Sequence, residues 1–236
     1  MKSSNAVTAL VDIFISPSKA FNGVKEAKGW SFVAFILLAG MLAASMLAFY
    51  NKADPQFLID QQVAAASVDA TIAEQKMIRQ SMEQTLDMQV WFALFGGIIG
   101  LAVINALMAG YYLFVSKQDP EANYSYGAWY GFGVWTMMPM VISSLGILIL
   151  VLTASNNQLS PTLFNYASIN QLLIGLEVGH PFCTMLESLN IFSIWGIVLA
   201  AIGLKCWTNF NFNKALLFAA LPSIAIYGIW TVIAII

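Results

Sequence analysis

The chain is constrained most by apolar runs that no water-soluble helix would carry. From Leu189 to Leu204 there is not one charged residue. Lys205 closes that run, and Cys206 to Asn213 leave room only for a turn. Lys214-Ala215 then opens a second apolar run that continues, broken only by Pro222, to Ile236. In lipid every backbone N–H and C=O must find its partner within the segment, so such runs read as helices. The spacing predicts two membrane helices in a tight hairpin, and the rest of the chain is read as their partners.

Composition agrees. The 236 residues are 59% hydrophobic and only 9% charged, where a globular chain is about a quarter charged. Ten bases against twelve acids give no basic surface for nucleic acid. Cys183 and Cys206 sit at opposite ends of one apolar span, so no intrachain disulfide is expected. Roughly 29 mostly amphipathic residues precede the first span, which does not fit a cleavable signal peptide.

Residues 1–29 are read as amphipathic helices, with Val7, Leu10, Val11 and Phe14 at i, i+3, i+4 and i+7. Ser16-Pro17 interrupts them, Ser16 as a cap and Pro17 at the first position of a second helix. That helix carries Phe21 and Val24, with Lys19, Lys25 and Lys28 near its rim. It can lie in the headgroup layer, apolar face down and lysines on anionic lipid, or pack across the end of the bundle. Residues 30–236 are then an all-α, five-helix transmembrane domain with spans near 30–50, 90–114, 127–152, 189–204 and 215–236. The polar loop 51–89, with six acids against three bases, is expected to be helical. Residues 159–179 read as a re-entrant or interfacial helix.

Lysine and arginine set the orientation. Seven lie in the N-terminal segment, the 115–126 loop and the 205–214 turn; three lie in the 51–89 loop, and none in 153–188 or at the C-terminus. This predicts a cytoplasmic N-terminus and an extracytoplasmic C-terminus.

Within the spans, Gly96 and Gly100, Gly127 and Gly131, and Gly196 and Gly203 are candidates for close helix packing. Asn105 is the strongly polar residue of the second span, expected to bond to a neighbouring helix. Pro139 should kink the third span, with Ser143 and Ser144 available for the freed carbonyls. Asn105, Pro139, Ser143 and Ser144 would line a path if the chain were a small homo-oligomeric channel or transporter. Glu177, His180, Cys183 and Glu187, spaced by three, three and four, are metal-capable residue types that would share one helical face. Gly179-His180-Pro181 argues for a break inside that face. No phosphate-binding loop, nucleophile elbow or His-Glu-x-x-His is present, and no cofactor is implied. A non-enzymatic role fits best.

Several stretches resemble the Yip domain family. Ile13-Phe14-Ile15-Ser16-Pro17-Ser18-Lys19-Ala20-Phe21 is similar to the entry motif of many bacterial members. Tyr124-Ser125-Tyr126-Gly127-Ala128 leading to Pro139 looks like the family's third-span pattern. Leu189 to Trp195, then Leu199, Gly203-Leu204 and Lys214-Ala215, resembles its most recognisable block, with Asn190 where bacterial members often carry aspartate. The resemblance implies five spans with a cytoplasmic N-terminus and brings no catalytic residues. Eukaryotic members act in Golgi and endoplasmic-reticulum trafficking and bind Rab-type GTPases, partners that the bacterial branch lacks. The expectation is a membrane-organising or adaptor protein of a bacterial inner membrane, acting through lipids and through an unidentified membrane protein or further copies of itself.

Overall fold

The computed structural model describes residues 1–27, 29–66 and 71–235; Lys28, Asp69 and Ile236 lie outside the described residues. The fold is all-α, 78% helical and without strands among the described residues. Among the described residues, four helical stretches are long and apolar enough to cross a membrane: Trp30–Lys52, Met88–Ser116, Tyr126–Thr153 and Phe212–Ile235. The expected fifth, Ile191–Trp207, is apolar but has 17 residues, about 25 Å of helix.

Two short helices, α1 (Ala6–Ile15) and α2 (Pro17–Val24), fold back on one another. Asn5 caps α1 by accepting from the Thr8 N–H at 2.8 Å. Ser16 stands where the sequence predicts a cap, but its side chain makes no capping bond. Its N–H instead ends α1 by donating to the Asp12 carbonyl at 2.7 Å. Pro17 opens α2, where a missing N–H costs nothing.

The first long helix, α3 (Trp30–Lys52), packs mainly on α8 and α6. The polar connector is helical as expected, forming α4 (Pro55–Ala66) and α5 (Ile72–Gln84). Thr71 and Glu74 make a reciprocal capping box at the start of α5. The long helix α6 runs Leu86–Ser116. The Tyr126–Thr153 stretch is broken into α7 (Tyr126–Thr136) and α8 (Pro139–Thr153). After a 3₁₀ turn (Pro161–Asn165), a π turn (Asn170–Ile174) and α9 (Cys183–Ser188) come α10 (Ile191–Trp207) and α11 (Phe212–Ile235).

The core is aromatic and lies toward the end that holds α1 and α2. Trp129 meets Tyr112, Tyr124, Phe132 and Trp207, with ring centroids 5.2–6.2 Å apart. Phe21 from α2 packs on Phe132 at 5.2 Å, and its carbonyl accepts from Trp207 Nε1 at 3.0 Å. At the same end Asp119, in the α6–α7 loop, clasps the α10–α11 turn: its Oδ2 accepts from the Asn209 backbone N–H at 2.6 Å. At the other end a smaller core joins Phe49, Leu58, Ile147, Val151 and Leu159. There Lys52 donates to the carbonyls of Val151 and Ala154 at 2.8 and 2.7 Å, closing the last turn of α8.

A proline inside α11 has its own answer. Pro222 has no N–H to give to Phe218, four residues earlier. The Tyr111 hydroxyl of α6 donates to the Phe218 carbonyl instead, at 2.7 Å.

Candidate functional site

The N-terminal helix divides its apolar residues between two faces. Ala9, Asp12 and Ile13 are buried against the bundle, with Asp12 accepting from Ser3 Oγ at 2.7 Å. Val7, Val11 and Ile15 point away, at 70, 55 and 73% exposed. Leu10 and Phe14 are half-buried at the edge of the core. Phe14 reaches Trp195, ring centroids 5.6 Å apart, and Trp195 lies about 18 Å of helix back along α10 from Trp207. The C-terminal part of α1 therefore hangs beside the bundle, below its end.

Phe21, expected on a lipid or partner face, is fully buried in the aromatic core. Lys25 is engaged within the chain, donating to the Cys206 carbonyl at 3.4 Å and lying 5.3 Å from the Tyr124 ring centre; Lys19 is half-buried. Ile15 joins Val7 and Val11 on the outer face, while Leu10 and Phe14 of the predicted face turn to the core edge. A period-3.6 pattern cannot rank two apolar faces of one helix when protein takes one and lipid the other.

The glycines separate. At Gly203 a Cβ would stand 2.5 Å from Phe132 and 2.8 Å from Phe21; at Gly131 it would meet Ser31 Oγ at 2.6 Å; at Gly196 it would meet the Thr136 carbonyl at 3.0 Å. These three are close-packing positions. Gly96 and Gly100 face nothing within 4 Å, and Gly127 meets only Ser125 Oγ at 3.9 Å. The α6 contact is made one residue over, where Gly97 lies against Met46 and Leu42 of α3.

Pro139 breaks the helix as expected, and i to i−3 bonds bridge the break: Met138 N–H to Trp135 O at 3.3 Å and Met140 N–H to Met137 O at 2.9 Å. The serines do not serve it. Helical hydroxyls reach back three or four residues, so Ser143 and Ser144 lie too far downstream. The Trp135 carbonyl, which Pro139 leaves without its usual donor, is taken by the Met138 N–H, and Thr136 adds a bond of 2.8 Å to the neighbouring Gly133 carbonyl.

Asn105 is 1% exposed, and its Nδ2 donates to the Tyr130 carbonyl at 3.0 Å. Its Oδ1 has no donor and rests against Gly133, where a Cβ would stand 2.1 Å from it. Asn105, Gly133, Thr136, Ser193, Gly196 and Ser223 share a cavity of about 230 Å³ with apolar neighbours from α6, α8, α10 and α11. Of the four residues expected along a path (Asn105, Pro139, Ser143 and Ser144), Asn105 alone lines this cavity. Ser143 offers its carbonyl to the Tyr166 hydroxyl at 3.4 Å.

The four metal-capable residues are not brought together among the described residues. Gly175 and Gly179 adopt left-handed backbone, so Glu177 to Glu187 is not one helical face. Among the described residues no three His, Cys, Asp or Glu side chains converge. Glu177 and His180 are exposed, and His180 Nδ1 accepts from the Phe182 N–H at 3.2 Å. Cys183 is buried, and burial, with the Glu187 carboxylate, raises its thiol above the ordinary value. Glu187 accepts from three amides, Asn165 at 2.8 Å, Asn170 at 3.2 Å and Gln171 at 2.5 Å. Its role is to fasten the π turn and α9 together.

Long apolar helices, a broken span and a core packed from one end define a polytopic α-helical membrane protein. The chain matches the Yip1 domain over residues 11–233 and belongs to that family. No curated protein and no solved structure matches it. The family is not a known enzyme family. Asn190, the departure noted in the sequence, caps α10 by accepting from the Ser193 N–H at 2.9 Å, a bond that aspartate makes equally well.

Proposed function

We propose that this protein is a non-enzymatic membrane-organising or adaptor protein that works by seating α1 in one leaflet beside its helix bundle. The observation that carries this is the exposed row Val7, Val11 and Ile15 on a helix whose opposite face is fixed to the core. In water, such a row would be an unpaid exposure; in the acyl region it is buried at no cost. Phe14 on Trp195 holds that row at membrane depth.

The proposed arrangement has five crossings, α10 among them, in a bacterial inner membrane with the N-terminus cytoplasmic. Lys2, Lys19, Lys25, Lys117, Lys205 and Lys214 gather at the end where α1, α2 and the two turns meet, which supports this orientation. Membrane lipid is the first partner; a membrane protein or a second copy would dock on the same leaflet.

The test uses a fluorophore on V11C in a C183S/C206S background, in phosphatidylethanolamine–phosphatidylglycerol vesicles. Spin-labelled acyl chains should quench it and aqueous iodide should not. Adding I15D should reverse that pattern, and should abolish the protein's effect on lipid packing read by laurdan. Iodide quenching of the parent protein would refute the reading.

A further inference from the structure

The cavity beside Asn105 has three properties that together describe a ligand. First, the amide oxygen of one lining residue, Asn105 Oδ1, is buried and lacks a donor, while Nδ2 is committed to Tyr130, which fixes which end of the amide faces Gly133. An unsatisfied buried acceptor is a standing cost that a hydroxyl or N–H donor would remove. Second, among the described residues no charged side chain lines the cavity; the further hydroxyl-bearing residues of its lining are Tyr112, Thr136, Ser193 and Ser223. An ionic head would be stranded there, near the middle of α6, far from the lysines. Third, Ile104 and Met140 at its rim are exposed on the outer surface of the helices, so the cavity opens sideways toward acyl chains.

We propose that this cavity binds the neutral, hydroxyl-bearing head of a lipid that enters from the bilayer, a glycerol-sized head on an apolar tail such as a diacylglycerol. The head hydroxyl donates to Asn105 Oδ1, and the serine and threonine hydroxyls take its remaining bonds. The tail leaves between Ile104 and Met140. The helix break lies beside this site, with Met137 and Met140 on either side of Pro139 among the residues that line it. None of the residues that line this cavity belongs to α1, so the inference is tested apart from the role proposed for Val11 and Ile15.

The probe is a diacylglycerol carrying a diazirine near its ester end, photolysed with the full-length protein in phosphatidylcholine nanodiscs and mapped by peptide mass spectrometry. Labelling should concentrate on Ile104 to Met108 and Met137 to Met140. Unlabelled dioleoylglycerol should compete, and dioleoylphosphatidylcholine at equal excess should not. Asn105→Leu removes the acceptor and should lower labelling roughly fivefold, the factor corresponding to one net hydrogen bond of about 1 kcal/mol. Ser223→Phe fills the cavity without disturbing the Asn105–Tyr130 bond, and should lower labelling with unchanged melting. Labelling spread evenly over the outer helix surfaces, equal competition by phosphatidylcholine, or full labelling of Ser223→Phe would each overturn the proposal. So would absence of label from both peptides, which would leave water as the cavity's occupant.

Discussion

Replacing Tyr111 with phenylalanine removes one oxygen and leaves the Phe218 carbonyl with no donor. The bond lost is 2.7 Å long, and the carbonyl cannot turn to its own helix because residue 222 is proline. Interhelical hydrogen bonds in membranes average about 0.6 kcal/mol and reach about 1.7, because the unfolded helices usually find other partners. Here the proline denies that alternative in every state that keeps α11 helical, so the cost belongs at the upper end, about 1.5 kcal/mol. For a chain of this size that is a fall of roughly 3–6 °C in melting temperature. The informative experiment is the cycle with Pro222→Ala, melted in a mild detergent. The alanine restores an N–H four residues after Phe218, so Tyr111→Phe in that background should cost under about 0.5 kcal/mol, a coupling of about 1 kcal/mol. Equal costs in the two backgrounds would refute the account of the proline.

Lys52→Met should loosen the end of α8 by about 2 kcal/mol, since charged donors to two carbonyls are lost; hydrogen exchange at residues 150–158 should accelerate. The backbone N–H of Asn209 holds the Asp119 carboxyl below its ordinary value of 3.8. A carboxyl lowered by folding contributes in full above that ordinary value and is lost as pH falls through the lower folded one. Melting from pH 7 to pH 3 should therefore fall further for the parent than for Asp119→Asn, and parallel curves would sink the claim. Glu187→Gln keeps one acceptor oxygen but turns the other into an amide donor facing an amide donor, so one or two of the three bonds are lost, and exchange should quicken across residues 165–175 while α3 and α6 stay protected. The V11C quenching pattern described above completes the set.

The helices were legible because hydropathy is a property of whole segments and breakers act locally: Pro17 and Pro139 do what their chemistry dictates, while the cap expected at Ser16 falls to its backbone N–H and not its side chain. Facing was not legible. A helix in lipid is apolar on its outer side as well as its inner one, so no periodicity told Gly97 from Gly96 and Gly100, or Phe21 in the core from Val11 outside it. Asn105 was read as bonding to a neighbouring helix, and it does so through Nδ2; its idle oxygen depends on how close Gly133 comes, which spacing along one chain cannot reveal. In the Glu177–Glu187 stretch the break is legible at Gly179-His180-Pro181, and Gly179 indeed takes a positive φ; the amides of Asn165, Asn170 and Gln171 that hold Glu187 lie outside the stretch and leave no mark in it. Tyr111 passed unnoticed for a related reason: the signal was Pro222, and its partner lies 111 residues earlier in the chain.

The shortness of α10 has a mechanical consequence. As the proposed fourth crossing it offers about 25 Å of apolar helix where the hydrocarbon layer is about 30 Å thick, while its neighbours are longer. Lipids along that side must shorten or lean, at fractions of a kcal/mol for each ångström of mismatch. The exposed Leu172, Leu173 and Ile174 of the π turn stand at the same end of the bundle as the start of α10, where a dimpled surface would meet them. The bundle would thus act as a rigid die, pressing a local thin spot into the bilayer and settling best where the membrane is already thin. Moving it between bilayers of different acyl length would shift its preference with no moving part at all.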